Sequence, residues 1–166
     1  MLINNPTEFY VQANMVLAKV TDGIAKELLK ALQDIIDENV YSYQLTGDWD
    51  NRTYEFKNSW TTSVPEWIGG WCESQIDNQS FDFTWSKERN AWSHGNNHKP
   101  VESNDGFNEI IDNRQGGSNF GFPALKRPYY DEWLQYIDLN FDRIVKEQCI
   151  ANNFPVEMAT TFYSFD

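Results

Sequence analysis

An aliphatic repeat near the N-terminus constrains the fold more than any other feature of this chain. Large aliphatic side chains recur at every fourth position, a spacing that places them on one face of an α-helix: Val16, Val20, Ile24, Leu28 and Leu32. Charged residues occupy the opposite face, and Thr7 is the expected N-cap. The pattern predicts an amphipathic helix over about residues 8–38, in which Gly23 costs about 1 kcal/mol relative to Ala.

A second amphipathic helix is predicted over about residues 128–150. Pro128 suits the first helical position, and Asp131 and Glu132 suit the positive end of the helix dipole. Asn152 and Asn153 end the helix, and Pro155 blocks its continuation. From the two helices together we expect six side chains to be buried: Val20, Ile24, Leu28, Trp133, Ile137 and Phe141.

The region between the helices has a β-like pattern. Residues 60–64 read as a strand that Pro65 stops, and Gly69 with Gly70 marks a break or turn. Residues 71–76 and 81–86 read as two strands of a β-hairpin, because apolar and polar residues alternate in the second of them. We therefore expect an antiparallel sheet of three to five strands.

The remaining segments complete a prediction of one domain over residues 1–166, a length that suits a single domain. Residues 86–127 are irregular and rich in Gly and Asn, which predicts a long loop. Residues 152–166 are predicted to form a C-terminal arm or a final strand. The predicted fold class is α+β, with two long amphipathic helices packed on a small antiparallel sheet.

The charge balance excludes several partners. The chain has 13 Lys and Arg against 25 Asp and Glu, a net charge of −12. Proteins that bind duplex DNA neutralise its phosphates with clustered basic residues, and no such cluster is present. Anionic lipid surfaces are disfavoured for the same reason, and no apolar run approaches the roughly 18 residues of a membrane span. An acidic surface suits a passage through which DNA slides, or a mimic of DNA.

Motifs for catalysis and metal binding do not reach a recognisable pattern. His94 and His98 are the two histidines, but the Gly-Asn-Asn between them opposes a helix, so we predict no metal site. A catalytic triad assembles in space, so the sequence spacing leaves Cys-His or Ser-His-Asp catalysis open, but no nucleophile elbow is present. Cys72 and Cys149 are predicted to be free thiols, with one bridge between them left open. We expect no cofactor, no catalytic residue and no enzymatic activity.

Tryptophan is denser in the middle of the chain than a core requires. Aromatic residues are enriched at protein–protein contacts, and the irregular segment 86–127 also contains large apolar groups that a free loop does not need. We therefore expect a subunit interface, which the loop joins by docking on a neighbour. The candidate interface residues are Trp67, Trp71, Trp92, Phe107, Phe120 and Phe122.

Two short segments resemble a known family. Residues 51–60, Asn-Arg-Thr-Tyr-Glu-Phe-Lys-Asn-Ser-Trp, resemble the "Tyr-x-Arg-Thr-Gly-x-Leu-x-x-Ser-Trp" stretch of tail-completion and head–tail connector proteins of long-tailed bacteriophages. Residues 127–133 resemble that family's "Arg-Pro-Phe" entry to its C-terminal helix, and the order of elements over about residues 10–150 agrees. Tyr54 and Phe56 stand where the family has Gly and Leu, and the family's "Tyr-Ala-x-Tyr-Val-Glu-x-Gly-Thr" strand is missing.

This resemblance implies a structural virion subunit of the phage neck or tail that is made in the host cytoplasm. Its implied partners are copies of itself in a ring and neighbouring neck, connector or tail-tube proteins, with DNA passing through unbound and no membrane involved. Arg52 would anchor the turn between helix and sheet. Phe56 and Trp60 would fill the gap between the helices and the sheet, and Pro128 would start the second long helix.

Two other classes of function remain open. An acidic DNA mimic would inhibit a nucleic-acid enzyme, but it needs carboxylates in phosphate-like rows, whereas here they are scattered among basic residues on both helices. A carbohydrate-binding or carbohydrate-active protein would use the tryptophan cluster, with paired carboxylates for any turnover.

Overall fold

The computed structural model describes residues 5–41, 55–78, 128–159 and 161–165. These ranges contain two long helices and four short strands. The elements in chain order are α1 (Pro6–Ile36) with a π-helical turn (Asp37–Tyr41), α2 (Glu55–Asn58), β1 (Trp60–Thr62), β2 (Glu66–Ile68), β3 (Trp71–Glu73), β4 (Ile76–Asn78), α3 (Tyr129–Ala151) and a 3-10 turn (Val156–Met158). None of the helices in these ranges is long and apolar enough to cross a membrane.

The chain divides into two compact units, and each long helix contributes to both. The first unit contains residues 1–31, 62–77 and 135–166, and the second contains residues 32–61 and 78–134. The coarse prediction of an α+β fold with two long helices and small antiparallel β structure is confirmed.

Local hydrogen bonds explain where α1 begins and where α3 ends. Asn5 caps α1, because its side-chain Oδ1 accepts a hydrogen bond from the Thr7 backbone N–H at 3.0 Å. The expectation that Thr7 is the cap was therefore wrong by two residues, and Pro6 takes the first helical position. At the end of α3, Asn153 adopts φ 54°, and the Phe154 N–H donates to the Cys149 carbonyl at 2.9 Å. This is the Schellman arrangement, and it confirms that the asparagine pair ends the helix.

The core of the first unit consists of side chains from α1 and α3. The two helices approach each other at Gly23, where an added Cβ would lie 2.1 Å from Oε1 of Gln148. The glycine that lowers the helix propensity of α1 thus makes room for a side chain of α3. The buried apolar side chains of this unit are Val20, Ile24, Ala25, Leu28, Ile137, Ile144, Val145 and Cys149.

Burial was predicted correctly for all but one of the six core candidates. Val20, Ile24, Leu28, Trp133 and Ile137 are buried, as the helical periodicity indicated. Phe141 is only half-buried, so the prediction for this residue was wrong. Its ring instead meets the exposed ring of Tyr163 at 4.7 Å between centroids.

The described core of the second unit contains a cluster of aromatic side chains beside aliphatic ones. Trp60 and Trp133 are buried with ring centroids 6.5 Å apart, and Tyr130 lies 5.8 Å from Trp133. Polar contacts also join the elements of this unit. Asn39 Nδ2 donates to Glu132 Oε2 at 2.7 Å, and Lys57 forms an ion pair with Asp37. Among the described residues of this unit, the buried side chains are Leu32, Ile36, Ser59, Trp60, Tyr129 and Trp133.

The strands pair differently from the predicted hairpin. β2 and β3 are antiparallel, with Trp67 opposite Cys72 and Ile68 opposite Trp71, and β1 pairs with β4. The β strands of the described ranges thus form two two-stranded sheets, rather than one sheet of three to five strands. Residues 71–73 were expected to pair with a strand at 81–86, which lies outside the described residues. They pair with β2 because Gly69 and Gly70 supply the two consecutive positive φ values, 60° and 92°, that a type I′ turn requires.

Candidate protein-binding surface

An exposed group of large apolar side chains lies in the first unit, where the β2–β3 hairpin and the C-terminal tail provide most of it. We call this group the hairpin–tail patch. It consists of five exposed side chains, Ile68, Trp71, Phe162, Tyr163 and Phe165, and of the half-buried Phe141 that contacts Tyr163.

The hairpin presents its side chains on two faces. Because side chains alternate along a strand and directly opposed residues share a face, Ile68 and Trp71 lie on one face together with Glu66 and Glu73. Trp67 falls on the other face. Ile68 is 52% exposed and Trp71 is 51% exposed, so this face presents apolar area to solvent.

The tail connects the hairpin to α3 through ring contacts. Phe162 meets Trp71 edge to face at 5.0 Å between ring centroids. Tyr163 meets Phe141 of α3 at 4.7 Å and Phe165 at 5.5 Å, both in T-shaped arrangements. Such pairs are favourable geometries for aromatic rings. Phe162 is nevertheless 66% exposed, so the contacts organise a surface rather than a core.

The immediate surroundings of the patch are acidic. The Tyr163 hydroxyl donates a hydrogen bond to Asp138. That bond, with partial desolvation and the charges of Asp138 and Asp142, raises the pKa of Tyr163 above its ordinary value. On the hairpin, Glu66 and Glu73 are exposed and directly opposed across the strands. Glu73 also accepts a hydrogen bond from the Gln75 amide at 3.0 Å.

Basic residues are missing from the segments that build most of this surface. No Lys or Arg lies in the sequence between Lys57 and Lys87, or after Lys146. Arg143 of α3 is engaged elsewhere: its guanidinium donates to Glu147 at 2.8 Å and to Asn140 at 3.2 Å. The hairpin and the tail therefore contribute apolar and acidic side chains to the patch but no basic ones.

The predicted interface residues fall into two groups. Trp67 and Trp71 are exposed on opposite faces of the β2–β3 hairpin. The other four lie outside the described residues: Trp92, Phe107, Phe120 and Phe122. The long loop predicted at 86–127 lies outside them as well.

Three of the four predicted structural residues, Phe56, Trp60 and Pro128, lie in the part of the chain that the structure describes. Trp60 is buried beside Trp133, and Phe56 belongs to α2. Pro128 directly precedes α3, and its carbonyl accepts a hydrogen bond from the Glu132 N–H at 3.0 Å. Arg52 lies outside the described residues.

The histidines and cysteines are the residues that the sequence offers for metal or redox chemistry. His94 and His98 lie outside the described ranges, and within those ranges no group of three or more His, Cys, Asp or Glu is arranged to hold a metal ion. Cys72 and Cys149 are both free thiols. Cys149 is fully buried, and desolvation raises the pKa of its thiol.

Sequence reasoning identified Trp71 and predicted the tail as an arm or a strand, but it did not name the aromatic residues of the tail as interface residues. Three aromatic residues within four positions, at 162, 163 and 165, follow the end of the last helix. A segment this short cannot enclose three rings by itself, and this is the signal that points to a surface role.

Comparisons with protein-family models, with curated proteins and with solved structures find no match to this chain. Function must therefore be inferred from the two units themselves.

Proposed function

We propose that the chain is a structural virion subunit of the neck or tail of a long-tailed bacteriophage, which forms part of a ring that joins head and tail. The observation that supports this most strongly is the hairpin–tail patch. Clustered exposed apolar side chains are characteristic of surfaces that bind other proteins, and aromatic residues are enriched at such contacts. A subunit whose task is joining needs surfaces of this kind.

The second unit gives independent support to the family resemblance. Trp60 ends one of the two segments that resemble connector proteins, and Trp133 ends the other. Their rings lie 6.5 Å apart in one aromatic core. Two segments that are distant in sequence thus meet in one structural module, which is expected if they belong to a common framework.

The acidic surface fits the same role. A net charge of −12 repels the phosphate backbone of DNA, so a ring of such subunits would allow DNA to pass without holding it. In this proposal the chain has no catalytic task.

The DNA-mimic alternative is disfavoured by specific ion pairs. A mimic needs free carboxylates in rows, but Asp22 pairs with Lys26 at 2.7 Å and Glu147 pairs with Arg143 at 2.8 Å. Each helix thus interrupts its own negative charge with a neighbouring cation.

The proposal is tested by locating the protein and removing it. The coding context should contain a portal or major capsid gene upstream and a tail-tube gene downstream. Gold-labelled antibody should mark the head–tail junction or the tail of purified particles in electron micrographs. Deletion of the gene should yield separate heads and tails, and a plasmid copy should restore joined particles. Joined, infectious particles from the deletion strain would refute the proposal.

A further inference from the structure

The hairpin–tail patch combines exposed aromatic rings with exposed carboxylates, and its hairpin and tail contain no Lys or Arg. From this combination we propose that the patch binds a basic, apolar segment of another protein, in which Lys or Arg residues alternate with large apolar side chains. This inference goes beyond the virion role and does not depend on it, because it uses only the hairpin, the tail and the adjacent turn of α3.

The charge pattern of the hairpin supports a cationic partner. Glu66 and Glu73 are directly opposed in a hairpin whose strands are three residues long. Like charges in this position are destabilising, and a two-stranded hairpin of this size has little stability to spare. A cationic side chain placed between the two carboxylates would remove that repulsion.

The α3 side of the patch repeats the pattern. Asp138 and Asp142 are exposed, lie one helical turn apart, and both act on Tyr163. A bound segment that crosses the patch from the hairpin to α3 would therefore meet carboxylates at both ends and aromatic rings between them.

The rings favour the same chemistry. Trp71 and Phe162 contact each other edge to face rather than stacking, and both side chains are more than half exposed. Aromatic faces attract guanidinium and ammonium groups, and tryptophan does so most strongly. Leucine-like side chains of the partner would cover the remaining apolar area.

A second copy of this chain is the less suitable occupant. A two-fold contact would place the patch against itself, so that Glu66, Glu73, Asp138 and Asp142 would face their own counterparts. Charge complementarity instead requires a partner of opposite sign.

Binding is tested by fluorescence anisotropy with the full chain and a short fluorescein-labelled peptide of alternating arginine and leucine. Two control peptides carry glutamine in place of arginine, or serine in place of leucine. We expect the first peptide to bind and both controls to bind much more weakly. Equal binding of the glutamine peptide would overturn the charge requirement, and equal binding of the serine peptide would overturn the apolar requirement.

Variants of the protein locate the site. Trp71→Ser and Phe162→Ser should each weaken binding about tenfold or more, as truncation of an aromatic anchor does. The matched control Tyr10→Ser, which changes an exposed aromatic residue on α1, should leave binding unchanged. Phe162 lies in an exposed tail without regular structure, so this variant reports on binding even if Trp71→Ser fails to fold.

The carboxylates are tested with charge-matched pairs. Glu66→Gln combined with Glu73→Gln should weaken binding severalfold at low salt and less at high salt, because salt screens exposed charges. Glu8→Gln combined with Asp34→Asn removes the same charge from exposed positions of α1 and should have a much smaller effect. If both double variants lose the same binding affinity, the effect comes from net charge alone, and the proposed site is wrong.

Two further outcomes would assign the patch to another occupant. Self-association in sedimentation experiments that Phe162→Ser abolishes would make a second copy the partner. Binding to a glycan array that Trp71→Ser abolishes would make it a carbohydrate site. Either result would overturn the proposal, and neither would alter the particle-labelling test of the virion role.

Discussion

The two units of the molecule each contain an aromatic cluster, yet one is buried and the other is exposed. In the second unit, Tyr129 is 2% exposed and Trp133 is 5% exposed. In the first unit, Trp71 and Phe162 remain largely in solvent, although their rings are closer together than those of Trp60 and Trp133. Contact between rings therefore does not by itself produce a core.

The difference lies in what stands behind the rings. Tyr129 and Trp133 are four residues apart on a 23-residue helix, so they share one face of a rigid element. The same unit also contains the end of α1 and most of β1. Trp71 and Phe162 come from a three-residue strand and an irregular tail. Neither of these elements brings a second layer. An aromatic residue is thus enclosed by the size of its neighbouring elements rather than by its own hydrophobicity.

The largest effect is expected where the two clusters are compared directly. Trp133→Ala should lower the free energy of unfolding by about 3–5 kcal/mol, because it removes a buried ring and leaves a cavity. Phe162→Ala should cost less than about 1 kcal/mol, since surface substitutions have small effects. Urea denaturation of both variants measures the contrast. Similar losses would show that the tail is part of the folding core.

A second contrast uses neighbouring positions on α3. Ile137 is buried and Leu139 is 76% exposed, so the same truncation samples opposite sides of one helix. Ile137→Ala should cost about 2–5 kcal/mol, and Leu139→Ala should cost less than about 0.5 kcal/mol. Thermal or urea unfolding followed by circular dichroism checks both values. A loss below about 0.5 kcal/mol for Ile137→Ala would mean that the buried face of α3 is assigned wrongly.

The two long helices were predicted best, because many residues of each helix contribute to the same periodic pattern. α1 was predicted over about residues 8–38 and spans Pro6–Ile36, and α3 was predicted over about 128–150 and spans Tyr129–Ala151. In a long helix each additional apolar position confirms the same face, so the periodicity fixes the element with little ambiguity. The half-burial of Phe141 marks where this reasoning ends, because periodicity names a face but not the extent of the layer that covers it.

Short strands follow a different rule, and the candidate site shows the consequence. A strand of three residues contains too few alternations to identify its partner, and the Gly69–Gly70 turn decided the pairing instead. Trp67 and Trp71 were predicted to belong to one interface because tryptophan is dense there, whereas their side chains lie on opposite faces of the hairpin. The contact of Phe162 with Trp71 depends on the direction of the chain after Asn153, which no local pattern encodes.

A smaller effect is expected in the first unit at Gly23, a half-buried position where α1 approaches α3. Alanine at this position gains about 1 kcal/mol of helix propensity, but its Cβ would collide with the Gln148 amide. We expect Gly23→Ala alone to change stability by less than that gain, because Gln148 must move. In a Gln148→Ala background the same change should stabilise by about 0.5–1 kcal/mol. A double-mutant cycle measures the coupling, and additive effects would contradict the close approach of α1 and α3.

The smallest effects are expected in the titration of two tyrosines, one from each cluster. The pKa values of both are raised, but for different physical reasons. The pKa of Tyr130 is raised by desolvation, whereas the pKa of Tyr163 is raised first by its hydrogen bond to Asp138. Both phenols ionise above the ordinary value of about 10. Any stability that their protonated forms provide is complete below about pH 10 and is lost as the pH rises through the raised values.

The two causes respond differently to the same two changes. Asp138→Asn should lower the pKa of Tyr163 and leave that of Tyr130 unchanged. Added salt should also lower the pKa of Tyr163, because it screens the charges of Asp138 and Asp142, but desolvation of Tyr130 is insensitive to salt. Absorbance titration of phenolate measures both values, with Tyr163→Phe and Tyr130→Phe used to assign the signals. If Asp138→Asn leaves every tyrosine signal in place, Tyr163 is not bound to α3 in solution, and the tail cannot form the surface that distinguishes the first unit from the second.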